Sequence, residues 1–172
     1  LAAKFTPPFS LFNNKDYDQL NADLEVAIAE RNTAEVERID QERFKWLEFY
    51  KVNFKGDWYT SLVGKLVLRT NAEFGFLGNY NNSVGKVPFE RFYVGGDGLG
   101  TYTLDGRDVI QLRGYENQSL TPYSLDPLSG QQIQDGGVVY NKYSLELRYP
   151  LTLKPSASIY GLAFLEAGNA FN

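Results

Sequence analysis

Several stretches of this chain alternate apolar and polar side chains with a period of two, which predicts β-strands with one apolar and one polar face. Pro7 and Pro8 end or bend the first strand, since proline cannot lie centrally in a sheet. The run that starts at Trp46 ends at a short turn over residues 63–65. Five strands are predicted in all, at residues 1–6, 46–62, 66–76, 141–149 and 158–168.

The polar faces of these strands carry charges of both signs. A dry sandwich core would hold such charges only at great cost unless they were fully paired, whereas a water-filled lumen holds them readily. We therefore expect the apolar set to face outward, towards lipid, and the charged set to face inward. The outward set is Tyr50, Val52, Phe54, Leu66, Leu68, Phe74, Tyr143, Leu145 and Leu147, and the inward set is Lys51, Lys55, Arg69, Glu73, Glu146 and Arg148.

Residues 13–43 interrupt the alternation and predict one or two short, largely solvated helices in a loop. Asn32, followed three residues later by Glu35, approximates a capping box and marks a helix start. The alternative is an amphipathic helix that binds a partner, but the apolar face is narrow. The residues of this apolar face are Leu24, Ile28, Val36 and Ile39.

Composition narrows the fold class without deciding it. Aromatic residues make up 15% of the 172 residues, yet the mean hydropathy is −0.35. No apolar run approaches the roughly 18 residues that a transmembrane helix needs. Aromatic richness with alternating strands suits an antiparallel transmembrane β-barrel, although a soluble β-sandwich shares much of this composition. The fold class is all-β, and the charged inward faces favour the barrel.

Other features of the composition exclude classes of site. The chain has no Cys and no His, so disulfides, thiolate metal sites and a histidine-based catalytic triad are impossible within it. The net charge of −4 gives no reason to expect nucleic acid as a partner. We expect no enzyme activity, no cofactor and no metal. Because the chain lacks Met and a signal peptide, we also expect an internal piece of a longer protein.

The segment from residue 79 to residue 137 is rich in Gly, Asp and Ser and has no predicted secondary structure of its own. Loops of that length are uncommon in compact domains and are usually functional. Deep within it lies a Leu-Arg-Gly-Tyr tetrapeptide: Leu112, Arg113, Gly114 and Tyr115. An arginine carried back between two polar strand faces needs carboxylate partners.

Two carboxylates on the last two predicted strands are placed to receive Arg113. If residue 155 centres the last hairpin, Glu146 lies opposite Phe164, and Glu166 is the diagonal neighbour at roughly 7–8 Å between backbones. One guanidinium, with five donors, can reach both. We expect Arg113 to pair with Glu146, Glu166 or both as a structural clamp, since bidentate pairing with arginine survives partial desolvation.

Two enzymatic or ligand-binding interpretations are disfavoured. The glycine-rich string at residues 94–100 is similar to a phosphate-binding loop, but no helix follows it and no Walker lysine is present. Its simpler interpretation is a tight, kinked loop that uses glycine where φ is positive. Glu146 and Glu166 could form the carboxylate pair of a hydrolase, but nothing else in the chain marks a substrate cleft.

At these residues the chain resembles the bacterial surface antigen superfamily of assembly and translocation barrels, and within it the BamA family of outer-membrane assembly factors. Residues 88–96 and 112–115 are similar to the loop-six signature, and residues 144–150 to the strand that follows that loop. Residues 164–169 are similar to the family's Phe-x-Asp-x-Gly motif, with Glu166 in place of the aspartate. The likeness covers the chain from Trp46 onward.

The resemblance implies that residues 1–172 form a single partial domain, about five strands of a sixteen-stranded outer-membrane barrel and roughly its strands nine to thirteen. Residues 79–137 would fold into the lumen as loop six, and residues 13–43 would form a helical extracellular loop. The implied function is insertion of other barrels into the bacterial outer membrane, without catalytic residues. The residues expected to pack loop six are Phe89, Phe92, Tyr93, Gly95, Gly96 and Gly168.

The implied partners are outer-membrane lipids, nascent outer-membrane β-barrel proteins and accessory assembly lipoproteins. Two alternative functions stay open. One is a translocation pore of the same superfamily, of the two-partner secretion or TamA-like kind. The other is a passive, porin-like channel, which an Arg113 facing bulk water without a partner would favour.

Overall fold

A computed structural model describes residues 1–13, 15–85, 87–97, 107–154 and 157–172 of the chain. These residues are mostly β-structure, with two α-helices, α1 (Tyr17–Ala29) and α2 (Thr33–Arg43), and 3-10 helices at Phe9–Leu11 and Asn82–Val84. The strands are β1 (Ala2–Phe5), β2 (Tyr50–Val63), β3 (Leu66–Gly78), β4 (Phe92–Val94), β5 (Asp108–Ile110), β6 (Tyr123–Leu125), β7 (Gln132–Gln134), β8 (Val139–Lys154) and β9 (Ala157–Phe171). In this described part of the chain, neither helix is long and apolar enough to cross a membrane.

The five long or terminal strands form one antiparallel sheet in the order β1-β2-β3-β8-β9, so the five strands predicted from the alternation are confirmed. A two-residue turn joins β2 to β3, and Gly64 takes a φ of 59° there, which glycine adopts without steric cost. β8 pairs with β3 although residues 79–138 separate them in sequence. The predicted turn residues Pro155 and Ser156 lie outside the described residues.

β2 begins at Tyr50 rather than at Trp46, which corrects the predicted boundary. The backbone N–H of Phe49 donates to the Thr6 hydroxyl at 2.6 Å, and Glu48 accepts a hydrogen bond from the Ser10 backbone at 2.9 Å. The Trp46 ring packs on Phe9, with 5.3 Å between ring centres. Residues 46–49 therefore contact the segment that follows β1, which includes the 3-10 helix, and do not extend β2.

The sheet exposes its apolar face and covers its charged face, which is the reverse of a sheet in a soluble protein. On the open face, Phe74, Leu145 and Tyr143 are 39%, 44% and 46% exposed. On the covered face, beneath residues 79–137, Lys51 and Glu146 are 1% and 3% exposed. Directly opposite residues share a face, so the predicted division into two sets is confirmed on β2, β3 and β8. The pairs that establish it are Phe54↔Phe74, Lys55↔Glu73, Leu68↔Leu147 and Arg69↔Glu146.

The two predicted helices are present, and the first starts earlier than the apolar pattern indicated. Asp16 caps α1 by accepting a hydrogen bond from the Gln19 N–H at 3.1 Å. Asn32 caps α2 through the Glu35 N–H at 3.2 Å, as predicted, although the Glu35 carboxylate pairs with Arg38 instead of closing the box. The helices pack on each other through a small cluster of Ala27, Val36 and Ile39, with Leu20, Leu24, Ile28 and Leu128 at its edge.

The long loop, residues 79–137, contains secondary structure that was not predicted. β4 pairs in parallel with β5, and β6 pairs antiparallel with β7. Each of these strands has three residues, which is too short to display a hydrophobic period. The expectation of a loop without secondary structure is therefore wrong.

The main core lies between the long loop and the covered face. Phe92 and Leu112 of the loop are fully buried, and the Phe92 ring lies 4.6 Å from the ring of Tyr140 on β8. Burial of apolar side chains stabilises this docking at about 25 cal/mol per Å² removed from water. The core residues are Phe49, Leu77, Val87, Phe92, Val94, Leu112, Tyr140 and Ala170.

Candidate functional site

Local backbone structure aims Arg113 at the end of the sheet formed by β8 and β9. Leu112 is 0% exposed, and its N–H donates to the Gly96 carbonyl at 2.9 Å. Gly114 takes a φ of 90°, a left-handed conformation that glycine adopts readily, and it turns the chain directly after Arg113. The apolar neighbour is thus anchored in the core while the guanidinium projects towards the strands.

The carboxylates occupy the predicted register. Glu146 on β8 lies directly opposite Phe164 on β9, and Glu166 lies opposite Ser144, which makes the two glutamates diagonal neighbours on the covered face. The Ser144 hydroxyl donates to Glu166 Oε1 at 3.2 Å. Two carboxylates on adjacent strands thereby point at one place without being directly opposite, where like charges would repel.

Arg113 is hydrogen-bonded to both glutamates. Its Nη2 lies 2.7 Å from Glu146 Oε1 and 2.6 Å from Glu166 Oε1, and its Nε donates to Glu166 Oε1 at 3.0 Å. The Arg113 backbone N–H also donates to Glu166 Oε2 at 2.8 Å. Glu166 therefore accepts most of these bonds, and its extra methylene relative to aspartate does not prevent the contact.

Glu146 is shared among three arginines. Besides Arg113, it accepts hydrogen bonds from Arg148 Nη2 at 2.5 Å and lies 3.1 Å from Arg69 Nη1. Arg69 in turn pairs with Asp57 at 2.5 Å. The arginine network, as we call this cluster, balances three cations with three carboxylates. Its members are Arg69, Arg113, Arg148, Asp57, Glu146 and Glu166.

The guanidinium of Arg113 is held as a cation. Hydrogen bonding to Glu166 raises the pKa of Arg113 above its ordinary value; burial opposes this shift, and Glu146 adds to it. The arginine therefore stays charged across the physiological range, and the contact is a permanent ion pair as long as the loop is docked.

The other residues expected to pack the loop divide into two groups. Phe92 and Tyr93 are 0% and 6% exposed, and Gly95 and Gly96 have φ values of 122° and 97°. The tight-loop interpretation thus holds for these two glycines, while Gly98, Leu99 and Gly100 lie outside the described residues. Tyr115, two residues after Arg113, is 43% exposed.

The packing expectation is wrong for Phe89 and inaccurate for Gly168. Phe89 is 52% exposed and borders a surface groove with Phe44 and Pro88. A Cβ at Gly168 would meet the Asn141 carbonyl at 2.6 Å, so glycine is needed there for close approach to β8 rather than to the loop.

Sequence reasoning placed Arg69 and Arg148 on the inward face but did not identify them as partners of Glu146. Arg69 lies directly opposite Glu146 across the β3–β8 ladder. The long loop separates these strands, so no turn geometry in the sequence fixes their register. Ser144, Asp57 and the Phe164 ring were not assigned contacts at this site, although short turns join β2 to β3 and β8 to β9.

This arrangement is suited to holding a segment in place rather than to proton transfer. A general acid must give a proton to a substrate, whereas both glutamates accept hydrogen bonds from arginine. In the described ranges, no cluster of three or more Asp, Glu, His or Cys side chains is placed to hold a metal ion.

Comparison with known protein families gives a match over most of the chain. A family model described as the Omp85 superfamily domain matches residues 31–172, a range that includes α2, every strand except β1 and the whole arginine network. The match supports the superfamily that the sequence motifs indicated, under its other name. None of the curated proteins matches the chain.

Proposed function

Because the chain belongs to the Omp85 superfamily, we propose that it forms part of a BamA-like outer-membrane barrel that inserts other β-barrel proteins. Membership indicates assembly or translocation at the bacterial outer membrane. The finer function, insertion of client barrels, rests on the Arg113 contact with Glu146 and Glu166. In this proposal residues 79–137 are loop six, and the covered face of the sheet lines the lumen.

The strength of the contact suits a reversible clamp. Breaking a buried charge set costs about 3–5 kcal/mol, and screening of the 35% exposed Arg113 side chain reduces this to about 2–3 kcal/mol. Such a difference favours the docked loop by about 30- to 150-fold. A client strand that binds the undocked state better by a similar amount would offset this contribution of Arg113 to loop docking.

The polarity of the sheet supports a membrane setting. The open face presents a ladder of rings, including Tyr50 on Phe76 at 5.8 Å and Phe74 on Tyr143 at 5.4 Å between centres. An exposed apolar face of this extent on a soluble protein would be an aggregation hazard, whereas lipid would cover it. Proposed partners are outer-membrane lipids, nascent β-barrel proteins and accessory lipoproteins.

Substitution of Arg113 tests the proposal in the full-length protein. Arg113→Ala should lower the amount of folded client barrels in the outer membrane while the protein itself stays inserted. Arg113→Lys should restore function only in part, because an ammonium keeps the charge but cannot form the planar fork. Arg38→Ala is the matched control, since it removes an exposed arginine–glutamate pair on α2.

Heat-modifiable gel mobility reads client folding and the mutant's own level in the same sample. Normal client levels at normal expression would overturn the proposal, and loss of the mutant protein itself would assign Arg113 to folding alone. Normal client barrels together with loss of a secreted polypeptide would instead assign the chain to a translocation pore of the same superfamily. A passive channel predicts neither defect.

A further inference from the structure

A second ion-pair cluster joins the long loop to the opposite side of the covered face. At its centre is Lys51 on β2, which is 1% exposed. The ammonium group has three donors, and three loop oxygens surround it. They are the Glu90 carbonyl oxygen at 2.8 Å, Glu90 Oε2 at 3.0 Å and Asp108 Oδ2 at 2.9 Å.

Glu90 also neutralises a second lysine of the sheet. Lys4 on β1 lies directly opposite Lys51 in the β1–β2 ladder, and like charges so placed would repel. The Lys4 ammonium donates to both Glu90 carboxylate oxygens, at 3.0 and 3.1 Å. Burial by itself would raise the pKa of Glu90, but the bonds from Lys4 and Lys51 lower it below its ordinary value. The cluster therefore holds two cations and two carboxylates.

Two loop residues, Glu90 and Phe92, add a backbone constraint and a ring contact to the cluster. Glu90 takes a φ of 62°, which residues other than glycine rarely adopt, so its position is held by surrounding contacts. The Lys51 ammonium also lies 4.7 Å from the centre of the Phe92 ring, within cation–π range. Phe92 begins β4, the strand that pairs with β5.

The two clusters hold opposite ends of one loop segment. Asp108 is the first residue of β5, and Arg113 follows the end of β5 by three residues. Lys51 lies on β2, whereas Glu146 and Glu166 lie on β8 and β9, across the sheet. The charge pattern is reversed between the ends: the sheet supplies the cation at Asp108, and the loop supplies it at Arg113.

We propose that Lys51 is a positioning residue for the Arg113 clamp. By binding Glu90 and Asp108, it fixes where β5 starts on the sheet and so where the chain after β5 presents the Arg113 guanidinium. The effect on client assembly rests on the proposed function, but the position of the loop is measurable without it.

Lys55 provides a matched control on the same strand and the same face. Its ammonium lies 2.8 Å from Glu73 of β3, and its side chain is 61% exposed. Lys55→Ala therefore removes a lysine–glutamate pair of the sheet without changing a contact to Glu90 or Asp108. If loss of any ion pair on the covered face of β2 displaced the loop, the displacement would appear in both variants.

These 172 residues contain no cysteine, so spin labels are attached to two introduced cysteines, and any cysteine elsewhere in the full-length protein is replaced by serine. One label replaces the exposed Glu116, next to the Leu112–Tyr115 tetrapeptide, and the other replaces Val63, which is 79% exposed at the far turn. The distance distribution is measured on full-length protein in lipid nanodiscs. Client assembly is scored separately, in cells that carry the same substitutions.

Lys51→Ala should create a second distance population above about a tenth of the molecules, as a shifted two-state equilibrium does. Arg113→Ala should shift the same distribution, Lys51→Arg should restore it largely, and Lys55→Ala should leave it unchanged. An unchanged distribution in Lys51→Ala, or an equal response in Lys55→Ala, would overturn the inference.

A further variant and a comparison with client levels distinguish failure of this inference from failure of the proposed function. If Lys51→Ala does not fold, Asp108→Asn tests the same anchor, because it keeps Lys51 with Glu90 and removes only the partner at the start of β5. A displaced loop in Asp108→Asn supports the inference, and an undisplaced loop overturns it. Displaced loops with normal client levels in both Lys51→Ala and Arg113→Ala would instead defeat the proposed function and leave the positioning role standing.

Discussion

The guanidinium carbon of Arg113 lies 3.8 Å from the centre of the Phe164 ring. Phe164 is directly opposite Glu146 and two residues before Glu166 on β9, so the ring shares the covered face with both carboxylates. The ring stabilises the cation through its quadrupole while the two glutamates accept its hydrogen bonds. The Arg113 guanidinium thus contacts one aromatic ring and two carboxylates.

Removing that ring should weaken docking of the loop without disturbing the sheet. We expect Phe164→Leu to reduce docking stability by about 0.5–2 kcal/mol, the value of a cation–π contact, and Phe164→Tyr to retain it. Amide hydrogen exchange of residues 111–118 measures the loop, with β2 as the internal reference. Equal exchange in the Leu and Tyr variants would show that the ring contributes only volume.

The two glutamates should separate into different roles. Glu166 accepts three hydrogen bonds from Arg113, from the backbone N–H, Nε and Nη2. Glu146 accepts one from Arg113 and is also the partner of Arg69 and Arg148. We expect Glu166→Gln to reduce the docking stability of the loop by about 2–3 kcal/mol and so to accelerate its amide exchange more than Glu146→Gln does. Glu146→Gln should lower the unfolding midpoint of the sheet more than Glu166→Gln does.

Urea unfolding in detergent, together with exchange of residues 111–118, measures both effects on each variant. Glu146→Gln leaves Arg69 and Arg148 of the sheet with less compensation, which is why its larger effect should be on the sheet. The same ranking of the two variants in both measurements would contradict the division of roles.

A methyl group at Gly95 should displace the segment that follows Arg113. Gly95 has a φ of 122°, and a Cβ there would lie 2.5 Å from the Glu116 carbonyl oxygen. Gly130 also has a positive φ, of 70°, but a Cβ there meets nothing within 4 Å. Gly95→Ala should therefore lower the free energy of unfolding by about 1–3 kcal/mol through backbone strain, and by a further amount through displacement of residue 116. Gly130→Ala should lower it only through backbone strain, by about 1–2 kcal/mol.

Thermal unfolding and exchange of residues 111–118 distinguish the two glycine variants. We expect faster exchange around Arg113 in Gly95→Ala alone. If Gly130→Ala loosened the same segment equally, backbone conformation rather than close approach would explain the effect.

The two faces of the sheet can be compared with a pair of leucines. Leu145 on the open face is 44% exposed, and Leu162, opposite Arg148 on the covered face, is 52% exposed. If lipid covers the open face, Leu145→Gln buries an unpaired amide in hydrocarbon and costs about 1–3 kcal/mol. Leu162→Gln should be nearly neutral, because the same amide would face water.

Urea titration in lipid bilayers measures the folding stability of the two leucine variants and so tests this difference. Equal costs for the two variants would contradict the assignment of lipid to the open face.

The period-two pattern was sufficient for the strands and for the two faces of the sheet. Alternation determines which side chains share a face once a strand is extended, and this is a local property. The predicted pairing of Glu146 with Phe164 is confirmed, and with it the diagonal placement of Glu166. The turn alone does not set this pairing, because Lys154 pairs with Ala157 and a register shift between Pro150 and Thr152 then brings Glu146 opposite Phe164.

Contacts that cross the long loop were decided only by the tertiary structure. The pairing of Arg69 with Glu146 depends on the β3–β8 register, and the binding of Lys51 to Glu90 and Asp108 depends on how the loop docks. The short strands β4 and β5 form only when the chain brings them together. The sequence predicted which two glutamates share a face on the β8–β9 hairpin, whereas docking of the loop that carries Arg113 and formation of the second anchor required packing between segments that no local turn connects.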